Sequence, residues 1–378
     1  MKFEINGTEF KNLVGRISAL VPKKSSLYFL ECVKITADGN YITLQASDSN
    51  DYGTIKVRAN VFESGCAWVH ITDLNKVIGI SDYITITANN ARFEVRSKKK
   101  SYEVKYYDYS DEQYEYLDTK NNPMCLLGDM HLLNHLSKLD CMRESSNIGN
   151  PLIQSFCLDL PKGKIVALNG HMVGVANISG TIINPAKPLN ISGTIYKKIK
   201  SIIGKTKTET TVAISADDKV VKFAGEDWTL VSRLIDGKFW DYEHLFNGDY
   251  DYSYRIDHNE LKNIAKEYAK AIGREKIPMI IYSKNGMVAT GVQVGNYKTS
   301  DLLQIVNPEY GMENEEFSQG FNASYIYNTC NVFDDEAVVK GSYKRTSPIV
   351  FENETYKVMI LPVNIGDHEI GFVEKQIA

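Results

Sequence analysis

The side chains that could do chemistry fall mostly into patterns that stop short of a working motif. His131 and His135 stand four apart on a helical stretch, the spacing at which two imidazoles share one face and can hold a zinc ion. Residue 132, where a metalloprotease keeps its general base, is Leu132, so the pair reads as exposed helix histidines. Gly204-Lys205-Thr206 has the ending of a phosphate-binding loop, but the glycine that should open such a loop falls at Ile199, and the segment follows a helix rather than a strand. Cys32, Cys66, Cys125, Cys141, Cys157 and Cys330 form no CxxC pair, and no GxSxG elbow or Cys-His signature is present. The expectation is a chain with no catalytic group, no metal and no cofactor. What does recur is positive charge at helical spacing. Lys262, Lys266, Lys270 and Arg274 run at i, i+4; Lys197, Lys198 and Lys200 precede Lys205 and Lys207; Lys11 and Arg16 precede Lys23 and Lys24. A stripe of this kind opposite an apolar stripe is either a solvated helix face or a face that meets phosphate.

The elements that carry these residues repeat. Period-2 alternation, as in Tyr41-Ile42-Thr43-Leu44-Gln45, Tyr83-Ile84-Thr85-Ile86-Thr87 and Arg92-Phe93-Glu94-Val95-Arg96, marks strands through most of the chain, with Asn89-Asn90 as a hairpin turn. Helical periodicity occurs in six places, starting near residues 8, 72, 129, 194, 259 and 323. The fifth carries Leu261, Ile264, Ala265, Tyr268 and Ile272 on its apolar face; Asp334 and Asp335 make the end of the sixth acidic. Taken in pairs, the helices recur about 121 and 130 residues apart, with about 64 residues inside each pair, so one supersecondary unit is used three times. Polar, tyrosine-rich stretches at 106–118 and 247–254 fall between the copies and place boundaries near 120 and 249.

Composition narrows the class. The chain has 378 residues, 43% of them hydrophobic and 11% aromatic, enough for a large core in two or three domains. The net charge of −4 rules out nucleic-acid binding through bulk charge, so any such contact must come from a local basic face. The opening MKFEINGTEF has no apolar leader core, no stretch reaches membrane-spanning length, and the scattered cysteines fit a reducing compartment, so a cytoplasmic protein is expected.

Four segments resemble the DNA polymerase III beta subunit family, the bacterial sliding clamps. Ala167-Leu168-Asn169-Gly170-His171-Met172-Val173 resembles the family's ATDGHRL-like segment, and Ser232-Arg233-Leu234-Ile235-Asp236-Gly237-Lys238-Phe239-Trp240-Asp241-Tyr242 its SRLIDGKFPDY-like segment. Phe321-Asn322-Ala323-Ser324-Tyr325 resembles an FNVSY-like helix start, and Tyr356 to Val363 the closing segment. The resemblance covers essentially the full chain. It implies an α+β fold of three repeated clamp-type domains, each with two helices backed by antiparallel sheets, that together form half of a ring. They would be clamp domain I at 1–120, domain II at 121–249 and domain III at 250–364, with an extension at 365–378 past the family's usual end. It implies a non-catalytic processivity factor that encircles duplex DNA without reading sequence and tethers the replicative polymerase. Lys11, Arg16, Lys23, Lys24, Lys197, Lys198, Lys200, Lys262, Lys266, Lys270 and Arg274 would then face the DNA. A second copy would join head-to-tail through Tyr102 and Val104 on one side and Ala271 and Ile272 on the other. DNA polymerase and clamp-loader subunits would insert short peptides into a pocket formed by Ile153, Leu168, Gly170, His171, Met172, Val173, Trp240, His244, Leu245, Ser347, Met359, Leu361, Pro362 and Val363.

The chain departs from that family where it usually carries Arg at the positions of Met172 and His244 and commonly Pro at the position of Trp240. The pocket should be less basic and more aromatic, and its peptides different. Phe372, Val373 and Ile377 of the extension either plug the pocket or belong to a disordered tail. Rival readings are a β-rich hydrolase with unrecognised carboxylates and a multi-domain β scaffold.

Overall fold

The computed structural model describes residues 1–79, 82–109, 116–146, 149–183, 185, 187–205, 208–313, 315–334 and 336–377. Thr206, Lys207, Asp335 and part of the 106–118 connector lie outside the described residues. Six helices begin within one residue of the positions read from periodicity: α1 (Gly7–Ile17), α2 (Ile71–Val77), α3 (Asp129–Leu139), α4 (Ile195–Ile203), α5 (His258–Ile272) and α6 (Ala323–Cys330). Their starts are set by side-chain caps. The Asn6 carboxamide accepts from the amides of Thr8 and Glu9 at 2.9 and 3.2 Å, Asp257 accepts from Asn259, and Asn322 accepts from Ser324 and Tyr325. Each helix then buries its apolar stripe; α1 buries Phe10, Leu13, Val14 and Ile17. Among the described residues no helix is long and apolar enough to cross a membrane.

The chain divides into two compact units, 1–134 with 179–235 and 135–178 with 236–378. The first holds an antiparallel sheet of nine strands, in the order Gly180–Ile182, Cys125–Gly128, Thr211–Ala216, Val220–Ala224, Trp228–Arg233, Asp51–Arg58, Tyr41–Ser47, Cys32–Asp38 and Gly65–His70. It also holds a five-stranded sheet ordered Asn60–Glu63, Lys2–Asn6, Tyr83–Asn89, Arg92–Arg96 and Ser101–Lys105. In the second unit an antiparallel run links Ser155–Asp159, Lys164–Leu168, Met172–Asn177, Tyr356–Ile360, Ile349–Glu352, Ala337–Gly341, Tyr252–Ile256 and Ile305–Tyr310. A four-stranded sheet there is ordered Tyr297–Leu303, Met287–Val294, Met279–Lys284 and Phe317–Phe321. The large sheets are spliced across the repeats: Leu230 pairs with Gly53, and Val175 with Lys357. The middle repeat therefore gives strands to both units, which is why the compact units cut the chain elsewhere than at 120 and 249.

The hairpin after Tyr83 turns one residue later than the sequence suggests. Asn89 pairs with Arg92, leaving Asn90 and Ala91 as the central residues at φ of 48° and 61°. Two left-handed residues are what a tight hairpin following the strand twist requires, but alanine pays about 1 kcal/mol for its Cβ there. Replacing Ala91 with glycine should therefore raise stability by about 0.5–1 kcal/mol, read as a higher urea midpoint with an unchanged slope.

Residues 365–377 are neither a loose tail nor a plug for the cleft at Leu361. They form a 3-10 turn at Asp367–Glu369 and a short helix, α7 (Gly371–Glu374). Ile370, Val373 and Ile377 are buried on Ile280, Tyr282 and Ala289, on one face of the four-stranded sheet. Glycines make the seat. A Cβ at Gly320 would lie 2.3 Å from the Ile365 side chain, and one at Gly291 2.6 Å from Val373. Gln376 Nε2 donates to the Ser300 carbonyl and hydroxyl at 3.2 and 2.8 Å, and Arg345 pairs with Asp367 at 2.6 Å. Val373→Asp should destabilise this unit by about 2–3 kcal/mol by placing a charge in an apolar seat. Hydrogen exchange would show it as lost protection across 279–294 with the rest of the unit retained.

Candidate functional site

An apolar cleft of about 340 Å³ opens in the second unit between a β-turn, a wall segment and a strand end. The turn joins Lys164–Leu168 to Met172–Asn177. Asn169 Oδ1 accepts from the amides of His171 and Met172 at 3.0 and 2.9 Å, and Gly170 takes φ of 86°. This Asx-type turn fixes where His171 and Met172 point. The Leu361 amide donates to the His171 carbonyl at 2.9 Å and brings the strand end alongside. The floor is Leu168, Met172, Val173 and Met359, each less than a tenth exposed. Residues 239–246 make the facing wall, presenting Trp240, Asp241, His244 and Leu245.

That wall is anchored from behind. Phe239 and Tyr242 pack in the same cluster as Leu168, Val173 and Met359. The Tyr242 hydroxyl donates to Asp159 Oδ2 at 2.8 Å; burial, then this bond, pushes the phenol far above its ordinary pKa, so it remains a donor. Glu243 accepts from Lys162 and Lys164 at 2.7 and 3.0 Å. A cleft with anchored sides and an apolar floor is suited to binding by burying a few anchor side chains.

The positions carried over by resemblance converge here except for three. Ser347, Pro362 and Val363 do not line the cleft. The Ser347 carbonyl accepts from Gln319 Nε2 at 3.1 Å, and the Val363 amide donates to Gly320 at 2.7 Å, so the chain turns away to the four-stranded sheet after Leu361. Two residues were missed. Asp241 lines the mouth, and Tyr325 stands with its ring 5.9 Å from that of His171. Both sat in the quoted stretches, beside Trp240 and at the end of Phe321–Tyr325.

The cationic set needs two corrections. Arg16 Nη1 and Nη2 donate to the two carboxylate oxygens of Asp227 at 2.7 Å each, Nε donates to the Ile202 carbonyl, and the side chain is 10% exposed. Lys198 is half-buried and pairs with both Asp48 and Asp51. Neither is offered to an outside phosphate. Lys11, Lys23, Lys24, Lys197, Lys200, Lys266, Lys270 and Arg274 are exposed and Lys262 half-buried, with no ion pair among the described residues. At the expected joint, Tyr102 and Val104 lie half-buried on Ser101–Lys105, an open sheet edge. Ala271 is half-buried, but Ile272 belongs to the apolar stripe of α5 and is buried in its own unit, so its side chain cannot face a second copy.

No family model matches the chain. The beta sliding clamp of Chlamydia muridarum is 20% identical over 97% of this chain and 100% of its own length. Among solved structures, a DNA polymerase III beta subunit from Eubacterium rectale superposes with a TM-score of 0.86 at 20% identity, covering 97% of this chain and 100% of that one. The beta subunit of Streptococcus pyogenes DNA polymerase does so with 0.86 at 15% identity and the same coverage. The fold is that of the beta sliding clamps, and the chain is similar in sequence to one of them over 97% of its length.

In this clamp-like fold the histidines that resembled an enzyme motif have structural places. His135 is buried rather than exposed, and its Nδ1 is 2.8 Å from the Tyr356 hydroxyl. His131 is exposed on α3. A polar cavity of about 490 Å³ lies behind the wall segment, but its Lys164 and Lys357 are already paired with Glu243 and Glu352, each at 3.0 Å.

Proposed function

We propose that the chain is a non-catalytic processivity clamp. Two copies close head-to-tail round duplex DNA, and the cleft beside Trp240 tethers a DNA polymerase, and a clamp loader, through short peptides. The observation that carries this reading is the convergence of Ile153, His171, Met172, Trp240, Met359 and Leu361 on one apolar cleft within a clamp fold. A topologically closed ring needs only weak phosphate contacts, and the exposed lysines of α1, α4 and α5 suit that task. The three domains are the repeated units at 1–120, 121–249 and 250–364. Their joint would pair the open edge Ser101–Lys105 with the open edge Tyr297–Leu303 of the second copy, which removes two aggregation-prone edges at once. A cytoplasmic location follows from the partners.

Gel filtration should give a dimer at about twice 42.6 kDa. After loading, the protein should stay on nicked circular DNA through a high-salt wash and slide off once the DNA is linearised. A monomer that hydrolyses a substrate, or retention indifferent to linearisation, would sink the proposal in favour of a β-rich hydrolase.

A further inference from the structure

The cleft has an uneven rim. Among the described residues its lining contains one carboxylate, Asp241, and no lysine or arginine. Asp241 is 68% exposed, with His244 Nδ1 3.2 Å from Oδ2 as its neighbour. Trp240, directly before it, leaves 41% of its surface open over an apolar floor, and its ring is held edge-on against Phe239 at 5.5 Å. His171, also in the lining, stands beside Tyr325 with their rings 5.9 Å apart, and Glu144 acts on both electrostatically. Hydrogen bonds from the Ser146 amide and hydroxyl hold the Glu144 carboxyl below its ordinary pKa, so it carries its charge at neutral pH. The lining thus offers one anion, Asp241, beside the open face of Trp240.

We infer that the partner segment of this cleft is a short peptide whose apolar anchors are flanked by a lysine or arginine, the cation lying over Trp240 and beside Asp241. This rests on the cleft being a peptide site. A cation gains from an aromatic face and from an exposed carboxylate together, whereas an acidic flank meets Asp241 with no lysine or arginine in the lining to offset it. Specificity would arise as much from rejection of acidic segments as from attraction of basic ones.

The test uses three end-capped octapeptides with identical leucine and phenylalanine anchors that differ only in one flanking residue, Arg, Gln or Glu. Binding to the full chain and to Asp241→Asn is followed by fluorescence anisotropy. The arginine peptide should bind the natural chain about tenfold tighter than the glutamate peptide at low salt, the gap narrowing as salt is raised. In Asp241→Asn the ratio should fall to about threefold or less. Equal affinities, a preference for the glutamate peptide, or a ratio untouched by Asp241→Asn overturns the inference and leaves the peptide site standing. If none of the three binds, the peptide site itself falls and the inference with it.

Discussion

Lys198→Met is expected to cost about 3–5 kcal/mol of stability in urea unfolding while leaving peptide binding in the cleft unchanged. Lys198 lies on the cationic stripe of α4, yet its side chain is 12% exposed and its ammonium hydrogen-bonds Asp48 and Asp51 together. Asp51 is 2% exposed, so removing the ammonium strands a buried carboxylate rather than merely deleting a surface charge. Burial works against the lysine charge, but Asp51 and Asp48 outweigh it and lift the lysine pKa above its ordinary value. A cationic group lifted on folding stabilises at every pH below its unfolded pKa. That contribution disappears only as pH climbs through the folded value, so at neutral pH it is present in full. Lys197→Ala and Lys200→Ala, on the exposed face of the same helix, should shift stability by less than about 0.5 kcal/mol. If all three substitutions behaved alike, the buried ion cluster would not be a structural element.

Leu361→Asp should lower the affinity of any peptide for the cleft by about a hundredfold and leave the urea midpoint nearly unmoved. Leu361 is 44% exposed and its side chain lines the cleft, so in the free protein it buries little that an aspartate would disturb. Its backbone bond to His171 is independent of side-chain type. In the complex the same side chain would be covered by an apolar anchor, where an unpaired carboxylate costs several kcal/mol. Retention on circular DNA is the control, because Leu361 lies outside the two strand edges proposed for the joint. Loss of both functions together would mean that the substitution unfolds the unit.

The helices were legible in the sequence because two local signals agree: an apolar stripe at 3.6 periodicity and a capping Asn or Asp at its head, as at Asn6, Asp257 and Asn322. Ile272 illustrates a conflict already present there. It belonged to the apolar stripe of α5 and could not also be offered outward. The fates of Arg16 and Lys198 were not legible. Helical spacing tells which face a side chain occupies, but not that Asp227, or Asp48 and Asp51, arrive at that face from far along the chain. The cleft positions came from resemblance; pattern alone could not separate cleft floor from core, since Met172 and Val173 are buried as deeply as either. For residues 365–377 a signal existed. Ile370, Val373 and Ile377 have helical spacing, and Gly291 inside a strand marks a close approach.

The spliced sheets also constrain how the chain is made. Leu230 meets Gly53, and Val175 meets Lys357, across about 180 residues in each case. Strands of the opening repeat must wait on the ribosome until the end of the middle repeat emerges, and part of the middle repeat waits again for the closing strands. Folding is therefore late and non-local, with apolar edges uncovered during synthesis, and nascent chains of this protein should depend on chaperones more than chains whose repeats close one at a time.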